Sequence, residues 1–338
     1  DIGEAKIDSS GSTITPSDVG VKTLTEFGSP GLIGNRMVCR PGQSIVFVHS
    51  GQKKLLEYFF WNELQAYQSL DMTKWHASLF QDGIVNLQVQ RNPYIVIWVL
   101  TETGNVYTVT YDEQERRHGF ARQDFGGGAV EDLAIARENG RDRIFIIVKR
   151  NIDDIEYRYI EEVEQFDHDD SIENSYYVAC GKTETGTDIT TVSGLDHLDG
   201  EEVAILVDGK RHPNKTVSNG SVDLDFSGDT VQVGLPMTAR MQTLPFPGVN
   251  KTNIAKVWLS FYDTGYAKVG PDLQNMTEVI FDTYPKTLGG ASLHSGWYEQ
   301  NFKNIHNRNG QFYIENDTPL PMEVLGIIPE VAQYGGAR

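Results

Sequence analysis

The chain has 338 residues, 39% of them hydrophobic and 22% charged, which excludes a disordered chain, a coiled coil and collagen. At roughly 150 residues per domain this length predicts two domains, or one large β domain, with a core that needs no covalent staples. Lys and Arg number 29 against 47 Asp and Glu, a net charge of −18, which opposes general binding to phosphate backbones.

In chain order, residues 1–18 lack the basic head and apolar run of a secretory leader. Residues 45–49, the turn Ser50-Gly51-Gln52 and residues 55–59 predict a first hairpin. Two helices of about two turns are expected next, over 62–70 and 73–80, the second capped by Asp71 or Thr73. Residues 95–100, the turn 102–105 and residues 106–111 repeat the hairpin; 143–148, 151–154 and 155–160 repeat it again. A further strand precedes the second and third copies, at 84–89 and 129–135, each after glycine: Gly83, and Gly126-Gly127-Gly128. Residues 118–122 are a candidate fourth strand. The longest apolar run, 94–100, is far too short to span a bilayer, so no membrane segment is expected.

The three hairpins centre near Phe47, Trp98 and Phe145, a spacing of roughly 45–50 residues that falls in the range of propeller blades. A plain antiparallel meander is the alternative reading, and three blades do not close a ring. Residues 182–188 read as a polar break. Asp208-Gly209 and Asn219-Gly220 then carry type I′ hairpin signals between very short strands. Beyond Pro245 and Pro247, residues 254–262 alternate with period two. Ala255, Val257, Leu259 and Phe261 form the expected core face, and Trp258 is left half-exposed. Residues 265–290 read as loop-rich, and 311–314 and 322–328 as strands. The expected fold class is mainly β: propeller-like blades over 1–178, a small inserted β barrel or sandwich module at 179–246, and returning strands with a C-terminal segment at 247–338.

Residues 192–246 contain GLDHLDGE, ILVDG and VGLPMTARMQTLP in order. With 65–76, 92–111 and the ending 317–331, this block resembles the tail nozzle, or tail tubular B-like stabilisation, proteins of short-tailed phages and prophages. Members of that family usually carry a further N-terminal portion. The resemblance implies a non-catalytic virion component, assembled in the host cytoplasm, that rings about six copies into part of the DNA ejection conduit. Its implied partners are copies of itself, portal or adaptor proteins and other tail proteins such as fibres or spikes, with DNA passing through unbound. The clusters Glu161-Glu162-Glu164, Asp167-Asp169-Asp170, Glu201-Glu202 and Asp223-Asp225 are candidates for an acidic lumen. A propeller glycan-binding or glycoside-hydrolase-like protein is the alternative class; it needs two carboxyls about 5–10 Å apart in a pocket.

No phosphate-binding glycine loop, zinc-protease helix or nucleophile elbow occurs, and no catalytic, cofactor-binding or metal residues are expected. Gly126-Gly127-Gly128 reads as a blade connector. Residues 166–173 have the carboxylate density of a calcium loop without its central glycine or ligand spacing, and read as a solvated acidic loop. His197 and His212 read as turn or surface residues. Cys39 and Cys180 read as small apolar residues, with one bridge between them left open. The sequons at Asn214, Asn219, Asn250, Asn275 and Asn316 read as turn chemistry. Trp258, Tyr262 and Tyr266 offer a carbohydrate-stacking shelf, or alternatively a core face with Trp258 turned outward.

Overall fold

A computed structural model describes residues 5–8, 20–23, 37–164, 172–245, 252–281, 293–302, 306–307 and 310–333. The protein is mainly β, built from several small antiparallel sheets, and no α-helix occurs among the described residues. The chain groups into two compact units. The first comprises Asp1–Gln123, Gly128–Arg150 and Tyr157–Val163; the second comprises Asp124–Gly127, Asn151–Glu156 and Glu164–Arg338.

In the first unit β1 (Ala5–Asp8) pairs with β2 (Gly20–Thr23). Next come β3 (Val38–Cys39), β4 (Ile45–Val48), β5 (Leu55–Trp61) and β6 (Ala66–Asp71), hydrogen-bonded in that order. β7 (Ile84–Gln90), β8 (Val96–Thr101), β9 (Val106–Asp112) and β10 (Arg117–Gln123) repeat the plan. β11 (Ala129–Glu138), β12 (Arg141–Ile152) and β13 (Ile155–Val163) follow with three strands. Each sheet is thus an up-and-down meander in sequence order, and β7 touches both β3 and β11.

Alternation explains the core. Val46, Val48, Leu55, Ile97, Val99 and Val109 point inward and are fully buried. Ile84 and Leu87 both face in because a bulge between Ile84 and Asn86 shifts the phase by one residue. The buried Asn86 on β7 donates its amide to Asp132 Oδ1 at 2.7 Å and to the Leu133 carbonyl at 2.9 Å on β11. Glu113 accepts from the Gln43 and Ser44 amides at 2.8 and 2.9 Å, and Asp142 accepts from the Arg91 amide at 2.6 Å. Carboxylates at hairpin ends thereby hold the loops of the preceding sheet.

Neither expected helix forms. Residues 62–65 are a turn, with Gln65 at φ 50°, and the following residues are strand β6, where Tyr67 stacks on Tyr58 at 5.1 Å. Cross-strand aromatic packing overrides the local helical pattern. Residues 73–82 are successive turns. Asp71 Oδ1 accepts from both the amide and the hydroxyl of Thr73, an Asx turn, and Met72 and Phe80 plug the core.

The second unit contains β14 (Val178–Ser193), β15 (Glu202–Val207), β16 (Lys210–Thr216) and β17 (Ser221–Pro236), ordered β14-β17-β15-β16. Residues 182–188 are not a break. They lie inside β14, which stays paired to β17 through register shifts at Ala179/Lys182 and Thr185/Ile189. Cys180 (φ 49°) and Asp188 (φ 50°) sit within these irregular stretches. Both type I′ turns are present: Asp208 and Gly209 have φ 48° and 71°, and Asn219 and Gly220 have φ 51° and 65°.

The remaining strands are β18 (Ala239–Gln242), β19 (Thr252–Thr264), β20 (Lys268–Gly270), β21 (Thr277–Glu278), β22 (His294–Asn301), β23 (His306–Asn307), β24 (Tyr313–Asn316) and β25 (Glu323–Gln333). β18-β24-β20-β21 form one sheet; β22 and β25 flank β19 in another, which also pairs β23. Residues 265–281, part of a stretch expected to be loop-rich, hold only the short strands β20 and β21. The alternation of β19 is observed: Val257, Leu259 and Phe261 are buried and Trp258 is half-exposed. Ile254 departs from it and is buried, next to a register shift between Ile254 and Lys256.

Candidate functional site

The acidic clusters do not behave alike. Arg150, whose side chain is buried, donates to both oxygens of Glu161 at 2.7 and 2.8 Å. Arg143 is clamped between Glu162 and Glu138, and Arg158 donates to both oxygens of Glu131 at 2.8 and 3.0 Å. Hydrogen bonding to these guanidinium groups holds Glu162 and Glu131 below the ordinary carboxylate range. The β11-β12-β13 sheet is thus laced by Arg–Glu pairs, and two members of the 161–164 cluster are engaged in them; Glu164 is exposed.

Asp167, Asp169 and Asp170 lie outside the described residues. Glu201 accepts from the Asp153 amide at 3.3 Å, and Glu202 from Asn214 at 3.0 Å. Asp223 accepts from the Thr191 hydroxyl, and Asp225 pairs with Lys215 at 2.6 Å, which lowers its pKa. Each of these acids holds a local structural partner.

The glycine run serves three different needs. Gly126 and Gly127 have φ 62° and 75°, and a Cβ on Gly126 would sit 2.9 Å from the Ala179 Cβ. At Gly128 a Cβ would overlap Val148 and come within 2.8 Å of Arg150 Nη1, so its absence leaves room for the buried arginine.

His212 is not a surface residue. It is fully buried, with Nδ1–H donating to the Pro213 carbonyl at 2.7 Å and Nε2 accepting from the Asp225 amide at 2.8 Å. That pattern fixes the neutral Nδ1–H tautomer and ties β16 to β17. His197 contacts the Cys180 carbonyl through Nε2 at 3.0 Å. Neither Cys39 nor Cys180 is in a disulfide, and burial pushes the Cys39 thiol up to about 12. Of the sequon residues, Asn316 is buried and accepts from Thr318, while Asn250 lies outside the described residues. Residues 172–174 form a single 3-10 turn, and the rest of the acidic loop, 166–171, is also outside them.

The outward Trp258 of the sequence expectation is observed, and a shelf of Trp258, Tyr262 and Tyr266 is not. Tyr266 is buried, with Arg211 and Lys268 over its ring at 5.4 and 5.9 Å, and takes no part in a shelf. Trp297 on β22 stands directly across from Ser260, in the same face as Trp258. Residues 294–301, HSGWYEQN, show no apolar alternation that would have singled Trp297 out. Among the described residues, no three His, Cys, Asp or Glu are placed to hold a metal ion. No described helix is long and apolar enough to cross a membrane. No known protein family and no curated protein matches the chain.

Proposed function

We propose that this protein is a non-catalytic structural subunit of a phage tail nozzle, ringed around the path by which DNA leaves the capsid. In this reading the meanders of the first unit are propeller-like blades, β14–β17 form an inserted module, and the protein resides in the virion tail beside portal, adaptor and fibre or spike proteins. The observation that carries the reading is the order of the first unit's sheets. Two four-stranded meanders and one three-stranded meander follow one another, with β7 in contact with both β3 and β11. First strands side by side are how blades surround an axis. The likeness of residues 192–246 to nozzle proteins supplies the biological class, and the net charge of −18 suits a passage that duplex DNA must not adhere to.

Native mass measurement and imaging of purified particles test it. The expected result is a closed ring of about six copies, with the protein present in virions and no stable duplex complex in a gel shift at moderate salt. A monomer that turns over a glycan, with activity abolished by one carboxylate substitution, would overturn it, as would tight duplex binding.

A further inference from the structure

We propose that the outward face of the β22–β19–β25 sheet is a carbohydrate-binding platform that takes a neutral polysaccharide chain. Three rows of side chains cross this face. Register places Trp297, Ser260 and Gly326 in the first, Glu299, Trp258 and Ile328 in the second, and Asn301, Lys256 and Glu330 in the third. Trp297 is 54% exposed, Trp258 38% and Ile328 55%.

The first row is built to lay an indole down. Trp297 Cη2 lies 3.6 Å from the place a Cβ would occupy on Gly326, two strands from its own. With strands about 4.8 Å apart, a tryptophan reaches that far only by leaning across Ser260 along the sheet, not by standing upright. One ring face is turned to the small residues beneath it and the other is left open. The second and third rows set polar groups beside the rings. Lys256 Nζ pairs with Glu299 at 2.8 Å and lies 5.7 Å from the Trp258 ring centre, so ion pair and ring hold each other in place.

This mixture argues for the occupant. The buried centre of a protein interface is depleted of charge, whereas here charged or amide side chains stand beside the open rings in two rows of three. A pyranose has both characters needed: an apolar C–H face that stacks on an indole, and a rim of hydroxyls that exchange hydrogen bonds with carboxylate, ammonium and amide groups. Glu299 and Glu330 on the face, with Glu323 near its end, disfavour acidic glycans, which leaves neutral ones. The inference stands on this face alone and does not need the nozzle reading.

The test is affinity electrophoresis of the full chain in native gels cast with galactomannan, hydroxyethyl cellulose, glycogen or alginate. At least one neutral polymer should retard the protein and alginate should not. Trp297→Ala and Trp258→Ala should each weaken the retardation about tenfold, and Trp297→Phe should retain most of it. In the unmodified protein, the retarding polymer should shield tryptophan fluorescence from acrylamide quenching, a readout independent of any variant's folding. Three results would each overturn the proposal: no retardation in any neutral gel, equal retardation of wild type and a folded Trp258→Ala/Trp297→Ala variant, or a solution mass that halves on Trp297→Ala, which would assign the face to a second copy.

Discussion

Arg150 places a guanidinium in the interior of the first unit, and three features make that tolerable: the bidentate Glu161 carboxylate, the space above Gly128, and the exposed edge of β13 on which Glu161 sits. Removing one partner of such a pair leaves a buried charge uncompensated. Glu161→Ala should therefore destabilise the protein by about 3–5 kcal/mol, measured by urea unfolding, whereas a paired change of both residues to apolar ones should cost less. A loss below about 1 kcal/mol for Glu161→Ala would place this pair among the weak surface pairs. Cys39 yields a second residue-scale prediction. Its thiol, pushed up to about 12 by burial, stays protonated at pH 8 and should not react with a thiol reagent until the protein unfolds. Counting reactive thiols before and after denaturant checks this: the native count should lack Cys39, and the unfolded count should be two.

At the scale of elements, turns separate what the sequence tells from what it hides. Gly209 and Gly140 both close two-residue turns with positive φ, 71° and 82°. A Cβ on Gly209 would overlap Ile172, while one on Gly140 meets nothing within 4 Å. Gly140→Ala should thus cost only the left-handed backbone strain, about 1–2 kcal/mol, and Gly209→Ala should cost measurably more because Ile172 must also move. Equal melting-temperature losses would sink the distinction. Asp208-Gly209 and Asn219-Gly220 were legible because turn chemistry is local. The turn 102–105 was legible for the same reason. The two expected helices failed because the fate of residues 66–71 rests on partners in β5, and that of 73–80 on side chains that Met72 and Phe80 bring to the core. Residues 182–188 were misread because bulges let an irregular, polar stretch remain paired. The face carrying Trp258 was readable from alternation in β19; its companion Trp297 was not, since the pairing that unites them spans 39 positions from Trp258 to Trp297 in sequence.

At the scale of the whole molecule the acidic balance has a direction in pH. Glu131, Glu162 and Glu299, held down by Arg158, Arg143 and Lys256, and Asp225, held down by Lys215, have folded pKa values below their ordinary 4.5 or 3.8. Groups depressed on folding stabilise above their unfolded pKa, and that contribution is lost as pH falls through the folded value. The urea midpoint should hold near pH 6 and drop between pH 4.5 and 3; a midpoint that rises over that interval would contradict these pairings. Chain path gives the last prediction. The chain passes between the two units at 123/124, 127/128, 150/151, 156/157 and 163/164, so the second unit includes two short stretches drawn from the sequence of the first. Asp124 Oδ2 accepts from the Thr238 amide at 3.1 Å, Gly126 packs against Ala179 and Leu235, and the Asp153 amide donates to Glu201 at 3.3 Å. A fragment of residues 164–338 loses all three sets of contacts. It should melt at lower temperature than the same unit in the full chain, and a peptide of residues 124–156 supplied in trans should recover part of the loss, since it restores those groups without the rest of the first unit. A fragment that melts like the intact protein would show that these excursions add nothing to the second unit's stability.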